Sequence, residues 1–217
     1  MSNVLFDFDG TLFDTYEGIS LCVSYALEKL GKPPLGESAL RKFLGPPIFS
    51  SMRDFAGVEE ENVDEAVRLF RERYVAGGVL LCKPYDGIKE LLAYLKERGV
   101  TLCIASSKPQ FAIELLLREH GMTHFFDRIC GASGAEKSED KSKRLREAMT
   151  QKDAVMVGDR KFDIAAAKKT GLRSVGVLYG FGSKEELREA GADALAEDTE
   201  QLKGILCGML GIKQETL

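Results

Sequence analysis

The sequence lacks the features that would place it in a membrane or on nucleic acid. No apolar run approaches the length of a membrane-spanning helix. The first apolar strand begins within four residues of the N-terminus, which leaves no room for a signal peptide. The formal net charge of −4 provides no broad basic field. We therefore expect a cytoplasmic protein that binds neither a membrane nor a nucleic acid polymer.

Histidine and cysteine are too sparse for a zinc site. The two histidines, His120 and His124, lie four residues apart, but Gly121 breaks the helix between them and no cysteine or acid completes a ligand set. The five cysteines are scattered, odd in number and without a Cys-x-x-Cys pair. This usage favours buried thiols in a reducing compartment over disulfides.

The size and composition of the chain are those of an ordinary globular protein. It has 217 residues, of which 44% are hydrophobic and 29% are charged. It contains no internal repeat and no low-complexity segment. We expect one sizeable domain, or one domain with an insertion, in a monomer or a homodimer.

The stretch Asp7-Phe8-Asp9-Gly10-Thr11-Leu12 is the centre of the chain's organisation. Residues Val4 to Phe8 are short, apolar and closed by glycine, which predicts a buried strand. Two carboxylates at the mouth of a buried strand are costly unless a cation compensates them. They indicate a metal or phosphate site, although solvated acids at a strand end are the alternative.

The rest of the chain divides into a helical block and an alternating region. Residues 16–82 contain about four helical patterns and no convincing strand. After the turn at Pro84, strands and helices alternate to the end of the chain. The predicted strands are 4–8, 100–105, 128–130, 154–157, 174–177 and 194–196. Alternation predicts an α/β fold with a doubly wound parallel sheet, into which the helical block is inserted.

Polar residues follow three of the predicted strands. The first strand ends in Asp7 and Asp9, the strand at 100–105 in Ser106-Ser107-Lys108, and the strand at 154–157 in Gly158-Asp159, with Asp163 four residues later. Because ligands bind beyond the carboxyl ends of parallel strands, we expect these groups to meet at one edge. Oxygen ligands favour Mg²⁺, and the lysine-rich segment 137–143 is positioned to supply a counter-charge.

Four motifs of the chain, taken in the order in which they occur, resemble those of the haloacid dehalogenase superfamily. They are the segment 7–12, Ser106, Lys141 and Gly158-Asp159-Arg160-x-x-Asp163. The first motif is highly specific and the fourth is fairly specific, whereas the second and third gain weight from their order. The resemblance covers essentially the whole chain and implies a Rossmann-like core.

The chain is most similar to the phosphoglycolate-phosphatase-like branch of that superfamily. This branch carries a helical cap inserted after the first strand, which implies a cap at 16–82 and a core at 1–15 and 83–217. The stretch 175–182, Val-Gly-Val-Leu-Tyr-Gly-Phe-Gly, also resembles this branch.

The resemblance implies roles for the four acids. Asp7 is implied as the nucleophile that forms an aspartyl-phosphate, and Asp9 as the acid and then base of the two steps. Mg²⁺ is the implied cofactor, with ligands from Asp7, Asp159 and the backbone carbonyl of Asp9, and with Asp163 either as a ligand or as the residue that orients a bound water. The alternative for Asp163 is a helix cap alone.

It also implies roles for a hydroxyl and a lysine in binding the phosphate. Ser106 is expected to contact a phosphate oxygen, with Ser107 and Lys108 as competitors for that contact. Lys141 is expected to offset charge on Asp7 and the phosphate, with the other lysines of the segment 137–143 as alternatives.

The function implied is a Mg²⁺-dependent phosphatase for a small phosphorylated metabolite. Activity as a 5′-nucleotidase, a pyrophosphatase or a phosphotyrosine phosphatase stays open, as does a phosphotransferase such as a sugar phosphomutase. A dehalogenase is disfavoured because its chemistry needs no second acid at Asp9, and a non-catalytic binding protein is disfavoured by the intact motifs.

The cap is the expected specificity element. A helical block on two short linkers can close over the site and exclude water. Arg41, Lys42 and the Gly45-Pro46-Pro47 segment are the candidates for reading the substrate. The alternative is that the segment is only a helix stop and that both cations lie on a solvated face.

Overall fold

The computed structural model describes residues 2–133, 140–151 and 153–213. Within them eight strands are found: β1 (Asn3–Phe6), β2 (Phe13–Asp14), β3 (Lys83–Pro84), β4 (Thr101–Pro109), β5 (Arg128–Ala132), β6 (Ala154–Gly158), β7 (Arg173–Val177) and β8 (Ala194–Ala196). Six of these strands form a parallel sheet in the order β5-β4-β1-β6-β7-β8. The other two, β2 and β3, pair antiparallel.

Helices cover the sheet and form the insertion. The α-helices of the described residues are α1 (Tyr16–Lys29), α2 (Glu37–Leu40), α3 (Ile48–Asp54), α4 (Val63–Val75), α5 (Ile88–Glu97), α6 (Gln110–Glu119), α7 (Ser142–Ala148), α8 (Lys161–Thr170), α9 (Lys184–Ala190) and α10 (Thr199–Leu210). Short 3₁₀ helices lie at Arg41–Phe43, Glu60–Asn62, Gly78–Leu81 and Thr123–Phe125. None of the helices in these described segments is long and apolar enough to cross a membrane.

The sheet topology locates the functional edge. Counted along the chain, the six parallel strands lie in the order 3-2-1-4-5-6, which is the Rossmann order. The order reverses at β1, whose neighbours are β4 and β6. Ligands of such sheets bind beyond the carboxyl ends of the strands at this reversal. The predicted doubly wound α/β core is therefore confirmed.

Strand β1 is buried on both faces, as a central parallel strand must be. The side chains of Val4 and Phe6 pack into one hydrophobic cluster, whereas Leu5 between them packs into the cluster on the opposite face. A strand with one face in solvent would show alternating apolar and polar residues. The continuous apolar run of β1 is therefore the feature that marks it as buried on both faces.

The helical insertion contains its own hydrophobic cluster. Residues from α1, α3 and α4 form this cluster, which includes Val23, Leu27, Met52 and Val67. The chain enters and leaves the insertion through β2 and β3, where Phe13 pairs with Pro84 and Asp14 with Lys83. The two linkers therefore lie side by side, and a helical insertion follows the first strand, as the fold class predicted.

The insertion also packs into the main cluster of the core. Cys22, Tyr74, Val79 and Cys82 belong to the same cluster as Phe6 and Phe8. A division into a core and a cap at residues 15 and 83 therefore stays a prediction.

Two strand boundaries differ from the sequence expectation. Strand β1 ends at Phe6 instead of Phe8, because the carbonyl of Phe8 accepts the backbone N–H groups of Leu12 and Phe13 in the following turn. Strand β4 continues to Pro109 instead of ending at residue 105, with an irregularity in its pairing to β5 after Ala105.

Candidate active site

Asp7 lies directly beyond β1, at the edge where the strand order reverses. Its backbone N–H donates to the carbonyl of Val157 at 2.9 Å, so the residue stays tied to β6. Its side chain is buried, and Oδ2 accepts a hydrogen bond from the Lys141 ammonium at 2.6 Å. Its other oxygen, Oδ1, is also buried and has no hydrogen-bond partner among the described residues. One oxygen is thus fixed, and the other is left for a substrate or a cation.

Lys141 connects two of the predicted acids. It precedes α7, and its Nζ donates to Asp7 Oδ2 at 2.6 Å and to Asp163 Oδ1 at 2.7 Å. Burial alone would lower the pKa of this lysine, but the charges of Asp163 and Asp7 raise it above its usual value. Lys141 is therefore a fixed cation. Of its competitors, Lys143 is exposed, and position 137 lies outside the described residues.

Three acids converge around this lysine. One carboxylate oxygen each from Asp7, Asp159 and Asp163 lies within 4.8 Å of the others. Asp159 follows β6, and its Oδ2 accepts the backbone N–H of Phe181 at 2.8 Å. Asp163 lies in the first turn of α8, and its Oδ2 accepts the backbone N–H of Arg160 at 3.1 Å. Asp163 is therefore both a helix cap and a member of the acidic cluster.

The electrostatics of the cluster fit a divalent cation. Burial raises the pKa of Asp159 well above its usual value, and it raises the pKa of Asp163 to about 6, with the charge of Asp7 adding to both shifts. When all three carboxylates are ionised, the single charge of Lys141 leaves two negative charges, which a divalent cation would offset. With the unpartnered Oδ1 of Asp7, the oxygen-only donor set fits a hard divalent ion. The cluster therefore has the charge and the ligand atoms of a site for a divalent metal ion.

Gly10 is the residue that lets the first loop approach the second acid. Its φ of +78° lies in the left-handed region, and a Cβ at this position would lie 2.1 Å from Asp159 Oδ2. The glycine in Asp7-Phe8-Asp9-Gly10 is therefore required by close packing against Asp159 as well as by the turn.

The carboxylate of Asp9 pairs with a lysine outside the acidic cluster. Its Oδ1 accepts a hydrogen bond from Lys108 at 2.7 Å, and Lys108 is buried between the rings of Phe8 and Tyr74. The side chain of Asp9 is not part of the three-acid group, so the expected contact of Asp9 with a metal rests on its backbone carbonyl. Sequence reasoning treated Lys108 only as a competitor for the phosphate and missed this pair.

The hydroxyl residues of β4 lie beside the acids. Ser106 is buried, and its Oγ accepts the backbone N–H of Lys108 at 3.2 Å, which leaves its hydroxyl hydrogen available to donate. Ser107 is half-buried and lines the same cavity. The alternation of side chains along a strand puts Ser106 and Lys108 on one side. The two-residue spacing between Ser106 and Lys108 was the sequence signal that could have placed Lys108 at the same edge of the sheet as Asp9.

Only some of the cap residues predicted to read the substrate line the cavity above Asp7. The cavity has a volume of about 470 Å³, and the Gly45-Pro46-Pro47 segment lines it. Arg41 and Lys42 are not among the lining residues and are exposed. The guanidinium of Arg41 pairs with Glu37 at 2.8 Å and lies over the ring of Tyr16. The structure therefore places Arg41 outside the cavity lining, where Glu37 and Tyr16 are its partners.

Family comparison agrees with this geometry. Residues 4–177 match the family model for haloacid dehalogenase-like hydrolases. The chain belongs to this family. Because phosphatases of the haloacid dehalogenase (HAD) superfamily are metal-dependent, the cluster of Asp7, Asp159 and Asp163 is the candidate metal centre of this protein.

The characterised relatives carry different activities. A 5′-nucleotidase from Pseudomonas aeruginosa is 35% identical over 94% of this chain and 95% of its own length. The tyrosine-protein kinase PtkA from Mycobacterium tuberculosis is 36% identical over 82% of this chain and 62% of its own. A phosphoglycolate phosphatase from Vibrio parahaemolyticus is 27% identical over 92% and 93% of the two chains. The chain is a phosphatase of the HAD superfamily, similar to phosphoglycolate phosphatases, and small phosphorylated compounds are the substrates of that class.

A solved structure agrees with the fold and the insertion. The crystal structure of a predicted phosphatase from Clostridium acetobutylicum has a TM-score of 0.89 to this protein and 38% sequence identity. The match covers 95% of this chain and 98% of that one. The core and the helical insertion therefore occur together in this relative.

Proposed function

We propose that this HAD phosphatase hydrolyses a small phosphomonoester with Mg²⁺ and through an aspartyl-phosphate on Asp7. The observation that carries the proposal is the state of the Asp7 carboxylate. One oxygen is fixed by Lys141 at 2.6 Å, and the other is buried and unpartnered at the floor of a cavity. A positioned carboxylate with a neighbouring fixed cation is a suitable nucleophile for an anionic phosphate.

The metal site is assigned to the same acids. Mg²⁺ would be held by Asp7, Asp159, Asp163 and the backbone carbonyl of Asp9, and it would offset the repulsion between the Asp7 carboxylate and the phosphate. The donor set of oxygens and the two uncompensated negative charges support this choice.

The side chains divide the two steps between them. In the first step Asp7 attacks phosphorus, the bond from phosphorus to the ester oxygen breaks, and Asp9 gives its proton to the departing alcohol. In the second step Asp9 takes a proton from water, which attacks the aspartyl-phosphate and regenerates Asp7 with release of phosphate. Ser106 donates its hydroxyl to a phosphate oxygen, and Lys141 balances charge.

Phosphate release from a generic aryl phosphate tests the proposal. The purified protein is stripped of metal with EDTA and assayed with and without added Mg²⁺. We expect release only with the metal, together with protein-bound phosphate after rapid quenching. Metal-independent turnover, or turnover that never labels the protein, contradicts the proposal.

A phosphotransferase is the second candidate, and the similarity to PtkA favours keeping it. In that case the aspartyl-phosphate passes to an acceptor other than water. Adding a sugar phosphate or a tyrosine-containing peptide to the assay separates the two functions. Labelled product at the expense of free phosphate would identify a phosphotransferase.

Asp159→Ala should weaken Mg²⁺ binding more than any other property. Because Asp159 is a direct candidate ligand, we expect the apparent Mg²⁺ affinity to fall by more than about tenfold, the lower range of losses for residues outside the ligand shell. The measurement is activity against Mg²⁺ concentration. Asp153→Ala is the matched control, since this exposed acid precedes β6 and pairs with Arg173. An unchanged Mg²⁺ curve for Asp159→Ala assigns the metal to other acids.

Lys108→Met should impair turnover through the position of Asp9. Lys108 holds Asp9 at 2.7 Å, so its loss frees the carboxylate that both steps require. We expect kcat to fall by roughly tenfold to a hundredfold, a range typical of misplaced catalytic groups, while KM changes little. Steady-state kinetics and a thermal unfolding curve distinguish mispositioning from misfolding. A KM effect with normal kcat would instead make Lys108 a substrate-binding residue.

A further inference from the structure

The cavity above Asp7 has a polar floor and mostly apolar walls. The floor contains Asp7, Ser106 and Lys141, which the proposed chemistry uses. The walls come from both the core and the cap, and they include Phe43, Ile48, Phe49, Phe70, Val75 and Phe111. A phosphoryl group occupies only the floor, so these walls face the leaving group of the substrate.

Two of the wall residues are unusually exposed. Among the described residues, the large hydrophobic side chains that stand out in solvent are Val75, Leu80 and Phe111, at 66%, 53% and 51% exposure. Val75 is the last residue of α4 in the cap, and Phe111 lies in the first turn of α6 in the core. Both line the cavity, whereas Leu80 does not. Exposed apolar side chains that gather at a cleft mark a surface that a ligand covers.

The cap wall also contains a flat cationic surface. The guanidinium carbon of Arg71 lies 5.4 Å from the centroid of the Phe49 ring, and both residues line the cavity. A ring backed by a guanidinium is suited to stack against another aromatic ring. Phe111 faces the same cavity from the core, so rings from the cap and from the core both reach the leaving-group space.

We propose that the substrates are phosphomonoesters whose leaving alcohol carries a planar aromatic group, as in a nucleoside 5′-monophosphate or an aryl phosphate. Phe111 and the Phe49–Arg71 surface are the residues that contact this group. The volume of about 470 Å³ lies within the range of small-molecule sites and exceeds what a phosphate alone needs. A small charged leaving group such as glycolate would leave the apolar walls in water. This inference rests on the phosphatase function proposed above.

The test compares two substrates that differ in the aromatic group. AMP and ribose 5-phosphate present the same phosphate on the same primary alcohol, and only AMP carries a base. We expect kcat/KM for AMP to exceed that for ribose 5-phosphate by at least about tenfold, since stacking of one base on an aromatic side chain is worth this much.

Variants then assign the contact. Phe111→Ala should lower kcat/KM for AMP by about tenfold and leave that for ribose 5-phosphate within about twofold, whereas Phe111→Trp should restore the preference. Leu80→Ala is the matched control, because Leu80 is equally exposed and apolar but lies outside the cavity lining. It should change neither substrate. Arg41→Ala should also change neither.

The outcomes separate this inference from the phosphatase proposal. If ribose 5-phosphate and phosphoglycolate are hydrolysed as well as both AMP and phosphotyrosine, the phosphatase function stands and the aromatic preference is overturned. An AMP preference that Phe111→Ala does not alter overturns the assigned contact. If none of the esters releases phosphate, the proposed function itself fails.

The two sources of the aromatic group are separated with the same variant. The loss in kcat/KM caused by Phe111→Ala is measured for AMP and for phosphotyrosine, so that the intrinsic reactivity of each leaving group cancels. The substrate whose kcat/KM falls more is the one whose aromatic group the cavity fits better.

Discussion

Asp7→Asn is expected to abolish turnover while the protein stays folded. An amide is a poor nucleophile and a weak ligand for a hard cation, so both proposed roles of Asp7 are lost together. The amide oxygen can still accept the hydrogen bond of Lys141, so the local packing keeps its main partner. We expect kcat with an aryl phosphate to fall by more than about a hundredfold, as nucleophile replacements do.

Asp14→Asn is the appropriate control for this variant. Asp14 lies seven residues later on the linker strand β2, where it is exposed, and its carboxylate accepts the backbone N–H of Tyr16 at 3.0 Å. Its loss should leave kcat within about twofold of the wild type, since surface changes of this kind are small. An Asp7→Asn protein that keeps more than about one-hundredth of the wild-type kcat would refute the nucleophile assignment.

The acidic cluster could be anticipated because topology, not local detail, brings it together. Strand–helix alternation predicts a parallel sheet, and the carboxyl ends of its strands share one edge. Asp7 and Asp159 each follow a buried strand directly, and these strands are neighbours in the sheet. Lys141 was harder to select among the lysines of its segment. The motif order identified it, and the buried contact with Asp7 now gives the physical reason.

The orientation of the cap side chains could not be anticipated in the same way. The segment 37–43 forms one short α-helix followed by a 3₁₀ turn, which is too short for periodicity to define a buried face. Arg41 is drawn outward by Glu37 at the i−4 position, whereas Phe43 is buried and lines the cavity. A cation near a phosphate site is an attractive candidate from sequence, but local pairing decided its direction.

The acidic cluster and the cap are connected through the loops that follow β6 and β7. The backbone N–H of Phe181 donates to Asp159, while the ring of Phe181 packs against the hydrophobic cluster of the insertion. Arg160, next to Asp159, donates to the carbonyl of Leu44 in the cap and pairs with Glu186 in the core. The cap therefore contacts Arg160, which is adjacent to the candidate metal ligand Asp159 in sequence, and Phe181, which donates a hydrogen bond to it. Mobility of the cap stays a prediction, and any opening must break the Arg160–Leu44 hydrogen bond.

The second large effect is expected for Lys141→Met, which should impair both turnover and folding. Lys141 is the buried cation between Asp7 and Asp163, and its side chain is only 3% exposed. Its loss removes charge balance from the nucleophile and the phosphate, so we expect kcat to fall by about 10²–10³-fold. It also leaves three buried carboxylates without their cation. The free energy of unfolding should therefore fall by about 3–5 kcal/mol in EDTA, as for other broken buried ion pairs.

Denaturant unfolding of three variants separates the charge effect from a packing effect. Lys143→Met is the control, because that lysine is 81% exposed and its loss should change stability by no more than about 0.5 kcal/mol. Adding Asp163→Asn to Lys141→Met removes one of the stranded charges. This double variant should regain part of the lost stability while staying inactive, because its nucleophile still lacks the neighbouring cation. If the double variant is instead less stable than Lys141→Met, the methionine variant is destabilised by poor packing. In that case the buried charge balance among Lys141, Asp7 and Asp163 does not hold the site together.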